Sequence, residues 1–457
     1  MSKSQVGVRM WFVFILVGLA GQFAWSIENM YLNTYITYLN FTSKDGGFDY
    51  NLMIAITTAA SAAVATLTTI FIGNLTDRIG KKKLFISIGY IIWGVATASF
   101  GLFNVNSPTS FIAMSSFLAA TMVVIIDCVM TFFGSSSNDA AFNAYVTSHV
   151  DDAKRGKVEG VLQILSLISM LIIFVGFNNL TTKQGGYRWD LFFYILGGIV
   201  SLVGIISLFL IPKEKDEGKK DTTYLGAVLD GFKPKTVVNN KKLYLILTIY
   251  FIFACAQQIF FPYLLVYIEK TCEISSTSTS FLSPFVIVMA VALIGGSTLS
   301  VLVGILGDKF SKNKMIIPSL GIMFTGTLIM MFIPFVGDSS LRTFYACFAG
   351  LIMITGCIGV PTILNALVRE YIPVGKEGSF MGIRMLFVVA LPMCIGPFIG
   401  SALNNSFGKT YVGDFGVSSP LPSNYSYLVG SLFLLLTCIP LFFYFKEVKN
   451  EKRNQQM

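Results

Sequence analysis

The stretch GNLTDRIGKKK, Gly73–Lys83, closes an apolar run of about twenty residues with two glycines, an Asp-Arg pair and three lysines. A related stretch, GILGDKFSKNK, begins at Gly304 after another apolar run. Gly73, Asp77, Lys81 and Lys83 recur 231 positions later as Gly304, Asp308, Lys312 and Lys314. Basic residues alone would mark only the polar end of a hairpin. A fixed order of Gly, Asp, base and Lys, kept in register across half the chain, points instead to internal duplication.

A second ungapped match supports that reading. NAYVTSHVDDAKRGKVEG (Asn143–Gly160) aligns with NALVREYIPVGKEGSFMG (Asn365–Gly382) at an offset of 222. Asn143, Ala144, Val146, Lys154, Gly156 and Gly160 recur as Asn365, Ala366, Val368, Lys376, Gly378 and Gly382. Glycines four apart at a helix start let neighbouring backbones approach closely.

Between these markers the chain is 54% hydrophobic and 12% charged, half the charge of a soluble domain. Its mean hydropathy is +0.71. Twelve apolar stretches are long enough to cross a bilayer, which takes about 20 helical residues. They fall at roughly 10–39, 51–76, 84–104, 109–147, 158–181, 190–211, 243–268, 280–306, 315–336, 341–371, 379–404 and 425–445. The expected organisation is an all-α membrane protein with an N-terminal six-helix half (1–211), a linker loop (212–242) and a C-terminal six-helix half (243–457). The first apolar stretch follows Lys3 and Arg9 as a signal peptide would, but it runs on without a small-residue cleavage site and is read as retained.

Of the 33 Lys and Arg residues, only Lys44, Lys183, Arg188, Lys270, Arg342 and Lys409 fall on one side of this twelve-span arrangement, leaving 27 on the side of the termini. Positive excess marks the cytoplasmic face, so both termini are expected inside the cell in a multi-pass plasma-membrane protein. The net charge of +9 is thus an orientation signal and not one for nucleic acid. Six of seven cysteines lie within spans and only Cys272 in an outer loop, so no disulfide framework is expected. The single histidine, His149, excludes a His-rich metal cluster, and no cofactor is expected. The sequons at Asn40, Asn179, Asn404 and Asn424 are read as chance.

Two six-helix halves repeated in parallel with a charged middle loop are the plan of the major facilitator superfamily. GNLTDRIGKKK resembles the signature loop of that family, Gly-x-Leu-x-Asp-Arg-x-Gly-Arg/Lys-Arg/Lys, while the second copy departs from it at Lys309, Ser311 and Asn313. The resemblance implies a major facilitator fold with pseudo-symmetric halves and alternating access. It makes Gly73, Asp77, Arg78, Gly80, Lys81 and Lys82 a conformational latch that closes the cytoplasmic side against the start of span eleven. Within the superfamily, GQFAWSIENMYLNTYITYL in the first span and AQQIFFPYLLVYI in the seventh resemble the glycoside-pentoside-hexuronide:cation symporter branch. Sodium-coupled melibiose-type members of that branch carry paired aspartates in span two. This span two, IAITTAASAAVATLTTIFI, holds no acid, so a proton is the favoured coupling cation.

Charges inside lipid-spanning helices are expensive and usually face a cavity. Glu28 in span one and Asp127 in span four are therefore the candidate proton-coupling groups, with a buried, hydrogen-bonded structural acid as the competing reading. The resemblance places both spans along the central cavity. Arg384, near the start of span eleven, is read as reaching back to the cytoplasm, and Arg188 with Asp190 as a surface pair. Sugar sites need amide hydrogen-bond partners and aromatic faces. Gln22, Trp25, Asn29 and Asn33 recur at helical spacing in span one, while Gln257, Gln258 and Phe261 cluster in span seven. With Asn365 these are the candidate substrate contacts, although such stripes also join helix to helix.

The leading expectation is a proton-coupled symporter of a glycoside or oligosaccharide, acting as a monomer in the lipid bilayer. The alternative is a facilitator that exports amphipathic compounds or carries organic ions, for which an apolar cavity would suit better. A polytopic enzyme would need clustered catalytic groups near one interface. One histidine, no HExxH and no paired-acid motif within a span argue against it.

Overall fold

The computed structural model of the chain describes residues 8–79, 81–103, 114–150, 152–183, 185–212, 233–276, 282–372 and 377–456. Twelve helices in it are long and apolar enough to cross a membrane. Spans one to six are Val8–Phe41, Tyr50–Ile72, Lys82–Phe103, Ser116–Val146, Ile164–Thr181 and Trp189–Leu210. Spans seven to twelve are Lys241–Thr271, Pro284–Gly307, Lys312–Phe335, Ser339–Tyr371, Gly382–Phe407 and Tyr425–Glu451. Helices are required because lipid offers backbone N–H and C=O groups no partner outside the segment itself. Between spans eleven and twelve, two short strands, β1 (Thr410–Val412) and β2 (Ser418–Pro420), pair with each other.

The chain divides into two compact units. The first comprises Met1–Thr222 with Val412–Ser419, and the second Thr223–Tyr411 with Pro420–Met457. In the first unit span one packs on span five and span two on span four. In the second, span seven packs on span eleven and span eight on span ten. The pairing order repeats with a shift of six spans, which is the structural form of the duplication read from the sequence.

Spans three and six make the most extensive contact of the first unit. Their closest approach needs glycine. A Cβ on Gly197 would lie 2.5 Å from the Gly94 carbonyl oxygen and 2.5 Å from the Ala98 amide nitrogen, so no side chain fits there. The Ser207 hydroxyl donates to that of Ser87 (2.6 Å), and the Ser201 hydroxyl donates to the Ile91 carbonyl (3.0 Å).

Several spans are not uniform α-helices. Ile27–Tyr31 in span one and Ser135–Phe142 in span four are π-helical, as are Val291–Gly295 in span eight and Leu386–Ala390 in span eleven. Such insertions are rare and cluster at functional sites.

One polar feature differs from expectation. Arg188 does meet Asp190 in two bonds of 3.1 Å, but only the arginine reaches the surface, with Asp190 2% exposed. The neighbouring Trp189, Tyr35 and Phe193 rings pack on one another at the start of span six. Asn40 and Asn404 are fully buried and hydrogen-bonded, in keeping with the reading of their sequons as chance.

Candidate functional site

The site in the first unit is built from span one and span four. Span four carries Asp127, Thr131, Ser135 and Asp139, each four residues after the last. Four residues overshoot an α-helical turn of 3.6, so such a row drifts around an ordinary helix. The wider turn of Ser135–Phe142 falls short of completion over the same four residues, which carries Asp139 back toward the row. Glu28 faces the row from the π-helical turn of span one. Its carboxylate has Asp127, Thr131 and Asp139 as neighbours.

The oxygens gathered here are short of partners. Among the described residues, Glu28 Oε2, both oxygens of Asp127, the Thr131 hydroxyl and the Ser135 hydroxyl are buried without a hydrogen bond. The adjacent serines behave differently. Ser136 and Ser137 donate to the Phe132 and Phe133 carbonyls at 2.6 Å, the usual resort of a hydroxyl inside a helix. Asp127 is 1% exposed, whereas Glu28 and Asp139 are half-buried. Buried polar groups nearly always find partners, so carboxyl oxygens left short of them, with hydroxyls not locked on the backbone beside them, single this place out as the candidate site. Two carboxylates side by side cannot both hold charge cheaply, and a single bound proton removes the repulsion.

Around this core lies a polar and aromatic margin. The Tyr90 hydroxyl is 2.8 Å from Asn138 Oδ1 and 3.1 Å from the Val17 carbonyl oxygen, and Asn138 Nδ2 donates to Asp139 Oδ1 at 3.2 Å. Trp25 meets Trp93 edge to face at 5.2 Å. Asn29 is exposed and donates to the Trp25 carbonyl (2.8 Å), leaving its amide oxygen available. Gln22 is half-buried beside it along the helix. Asn33 is 4% exposed and its side chain donates to the Asn29 carbonyl at 3.4 Å.

In the second unit, Gln257, Gln258 and Phe261 are half-buried, and Phe261 opens a short 3-10 turn with Pro262 and Tyr263. Gln258 packs its stem where Gly396 of span eleven leaves room. Asn365 accepts from Arg384 Nε at 3.0 Å, and the buried Tyr250 of span seven adjoins both. Arg384 thus turns to Asn365 rather than back along its own span. These three residues form a polar node that links spans seven, ten and eleven.

Asp139, Thr131 and Ser135 were not among the residues singled out from sequence. Their four-residue spacing after Asp127 was the available signal, obscured by apolar residues up to Ser135 and by a run of polar ones after it. Gly80, the side chains of Asp77 and Arg78, and the side-chain surroundings of Gly73, the heart of the expected latch, lie outside what the structure describes, while Lys81 is exposed and Lys82 half-buried. Among the described residues no group of three or more His, Cys, Asp or Glu side chains is placed to hold a metal ion.

Residues 10–397 match the Major Facilitator Superfamily. No curated relative matches. Among solved structures, the nucleoside transporter NupG is similar with a TM-score of 0.68 at 12% identity, covering 95% of this chain and 98% of that one. A bacterial homologue of the human lysosomal transporter Spinster, inward-facing and unoccupied, is similar with a TM-score of 0.66 at 14% identity, covering 96% and 98%. At such identities the likeness speaks for the fold alone. The match over most of the chain carries the assignment: the protein belongs to the major facilitator superfamily, and it is a secondary transporter and not an enzyme.

Proposed function

We propose that this transporter is a proton-coupled symporter of a glycoside or oligosaccharide, working by alternating access in the plasma membrane with both termini cytoplasmic. The observation that carries this reading is the unpartnered carboxyl pair of Glu28 and Asp127 inside the first unit. A structural acid would be expected to have found donors, yet among the described residues Glu28 Oε2 and both oxygens of Asp127 are buried without one. The sequence likeness of spans one and seven to the glycoside-pentoside-hexuronide:cation branch supports a sugar as cargo. Asn29, Gln22, Gln257 and Gln258 supply amides for its hydroxyls, and Trp25 and Phe261 supply ring faces.

A proton moving down about 100 mV releases about 2.3 kcal/mol, enough for accumulation of about fifty-fold at one proton per substrate. Uptake of a panel of radiolabelled disaccharides and glycosides into vesicles tests the reading, with and without an imposed pH gradient. Glu28→Gln or Asp127→Asn is expected to abolish accumulation against a gradient while counterflow exchange survives, because exchange does not need the empty carrier to return. Gradient-driven accumulation in both variants would show that these acids are structural.

A further inference from the structure

We propose that Asp139 is the proton-exchange group of this site, joined to Glu28 and Asp127 through the hydroxyls of Ser135 and Thr131. The proposal rests on the proton-coupling reading and adds a residue and a path to it.

Asp127 is sealed at 1% exposed with both oxygens unpartnered, so it stores a proton well but exchanges one poorly on its own. Asp139 lies three helical turns further along the same span and, as a residue, is half-buried where Asp127 is sealed. Between them stand Thr131 and Ser135, each fully buried, Thr131 beside Glu28 and Ser135 beside Asp139. A hydroxyl is at once donor and acceptor. One locked on a backbone carbonyl, as in Ser136 and Ser137, cannot pass a proton on, whereas an unlocked one can turn from one neighbour to the next. Residues four apart on a helix have Cβ atoms about 5–6 Å apart, within reach of successive side chains that swing.

Each hop conserves atoms and charge. The O–H bond of Asp139 breaks as its proton joins the Ser135 oxygen, and the hydroxyl gives up its own proton toward Thr131. Thr131 does the same toward Glu28, whose carboxylate becomes a carboxyl while Asp139 becomes a carboxylate. The two hydroxyls end as they began, after turning over.

Among the described residues, titratable groups of two neighbouring spans lie near Asp139. Span one presents Glu28, and span three presents Tyr90 through Asn138. Span four also carries Asp127, Cys128, Tyr145 and His149 along its length, and Tyr50–Ile72 of span two holds no charged residue. Asn138 donates to one Asp139 oxygen and fixes the carboxyl in place, while the Asn143 side chain donates to the Asp139 carbonyl at 3.1 Å, bracing the π-helical turn.

The test follows the proton directly. The purified full-length carrier is subjected to a pH jump with the dye pyranine as probe, which reports proton uptake by the protein without any transported solute. A phase absent from the Glu28→Gln/Asp127→Asn double variant belongs to the coupling pair; if no phase depends on these acids, the coupling reading itself fails. Given such a phase, Asp139→Asn is expected to slow it at least about tenfold, with recovery as the starting pH is lowered and with rescue by Asp139→Glu. Ser135→Ala, which leaves every carboxyl in place, is expected to slow it as well, and it decides the matter should Asp139→Asn lower the thermal unfolding temperature. A coupling-pair phase at wild-type rate in Ser135→Ala and Asp139→Asn would overturn the relay and leave the coupling reading intact.

Discussion

Asp45 ties the loop after span one to the start of span four. Its carboxylate accepts the Ser116 amide (3.0 Å) and the Ser116 hydroxyl (2.8 Å), two donors that the helix start would otherwise leave unpaired. Burial pushes this carboxyl up, but the bonds from Ser116 outweigh that and hold it below the ordinary carboxylate value. A depressed acid contributes stability that is complete above its unfolded value, about 3.9, and fades as pH falls through the folded value. Asp45→Ala should therefore cost about 0.5–1 kcal/mol at pH 7, scaled down from buried caps because Asp45 is exposed. Thermal unfolding in detergent checks this: the gap between variant and wild type should narrow below pH 4, and an equal gap at pH 7 and pH 3 would refute it. At this scale sequence and structure part company selectively. Glu28 and Asp127 stand out because a charge in an apolar run is conspicuous. Asp139 does not, because it follows three serines and an asparagine and reads as one more polar residue. Asn365 reads as a sugar contact, yet its amide oxygen is taken up by Arg384.

Among the elements, the pairing of spans three and six sets the clearest test. Ala at Gly197 would drive a methyl into the Gly94 carbonyl and the Ala98 amide, and overpacking of this kind costs about 1–3 kcal/mol. Gly198, one residue on, has nothing within 4 Å of the place its Cβ would occupy. Gly197→Ala should lower the unfolding temperature, and Gly198→Ala should leave it unchanged or raise it slightly, since Ala is the better helix former. Equal effects at the two positions would contradict the close contact. Span identity was readable from hydropathy, because the bilayer imposes length and apolarity on each segment. The π-helical turns were not, because Ile27–Tyr31 and Ser135–Phe142 have no composition of their own. A wider turn persists only where neighbouring helices and side chains hold the register open.

For the whole molecule, orientation remains the property most open to direct measurement. On a background without native cysteines, Lys44→Cys and Lys409→Cys should react with an impermeant maleimide applied outside intact cells, and Gly218→Cys and Asn450→Cys only after permeabilisation. Lys44 and Lys409 are exposed, whereas the neighbouring Gly46 is unsuitable because a Cβ there would collide with the Asn40 carbonyl. Labelling of Gly218→Cys in intact cells would reverse the orientation read from the 27-to-six distribution of basic residues.

The sequence by itself determined that this chain is a twelve-span membrane protein built twice, because lipid leaves an apolar helix few alternatives and duplication leaves its spacing in the residues. It also exposed two of the acids, since each is an energetic anomaly wherever its span comes to lie. What only the tertiary structure decided is which polar groups meet. Hydrogen bonds are short and directional, so a shift of one residue in a π-helical turn separates a hydroxyl bound to its own backbone from one left free beside a carboxylate. Ser135 and Ser136 are neighbours of the same chemistry, and packing alone gave them different surroundings.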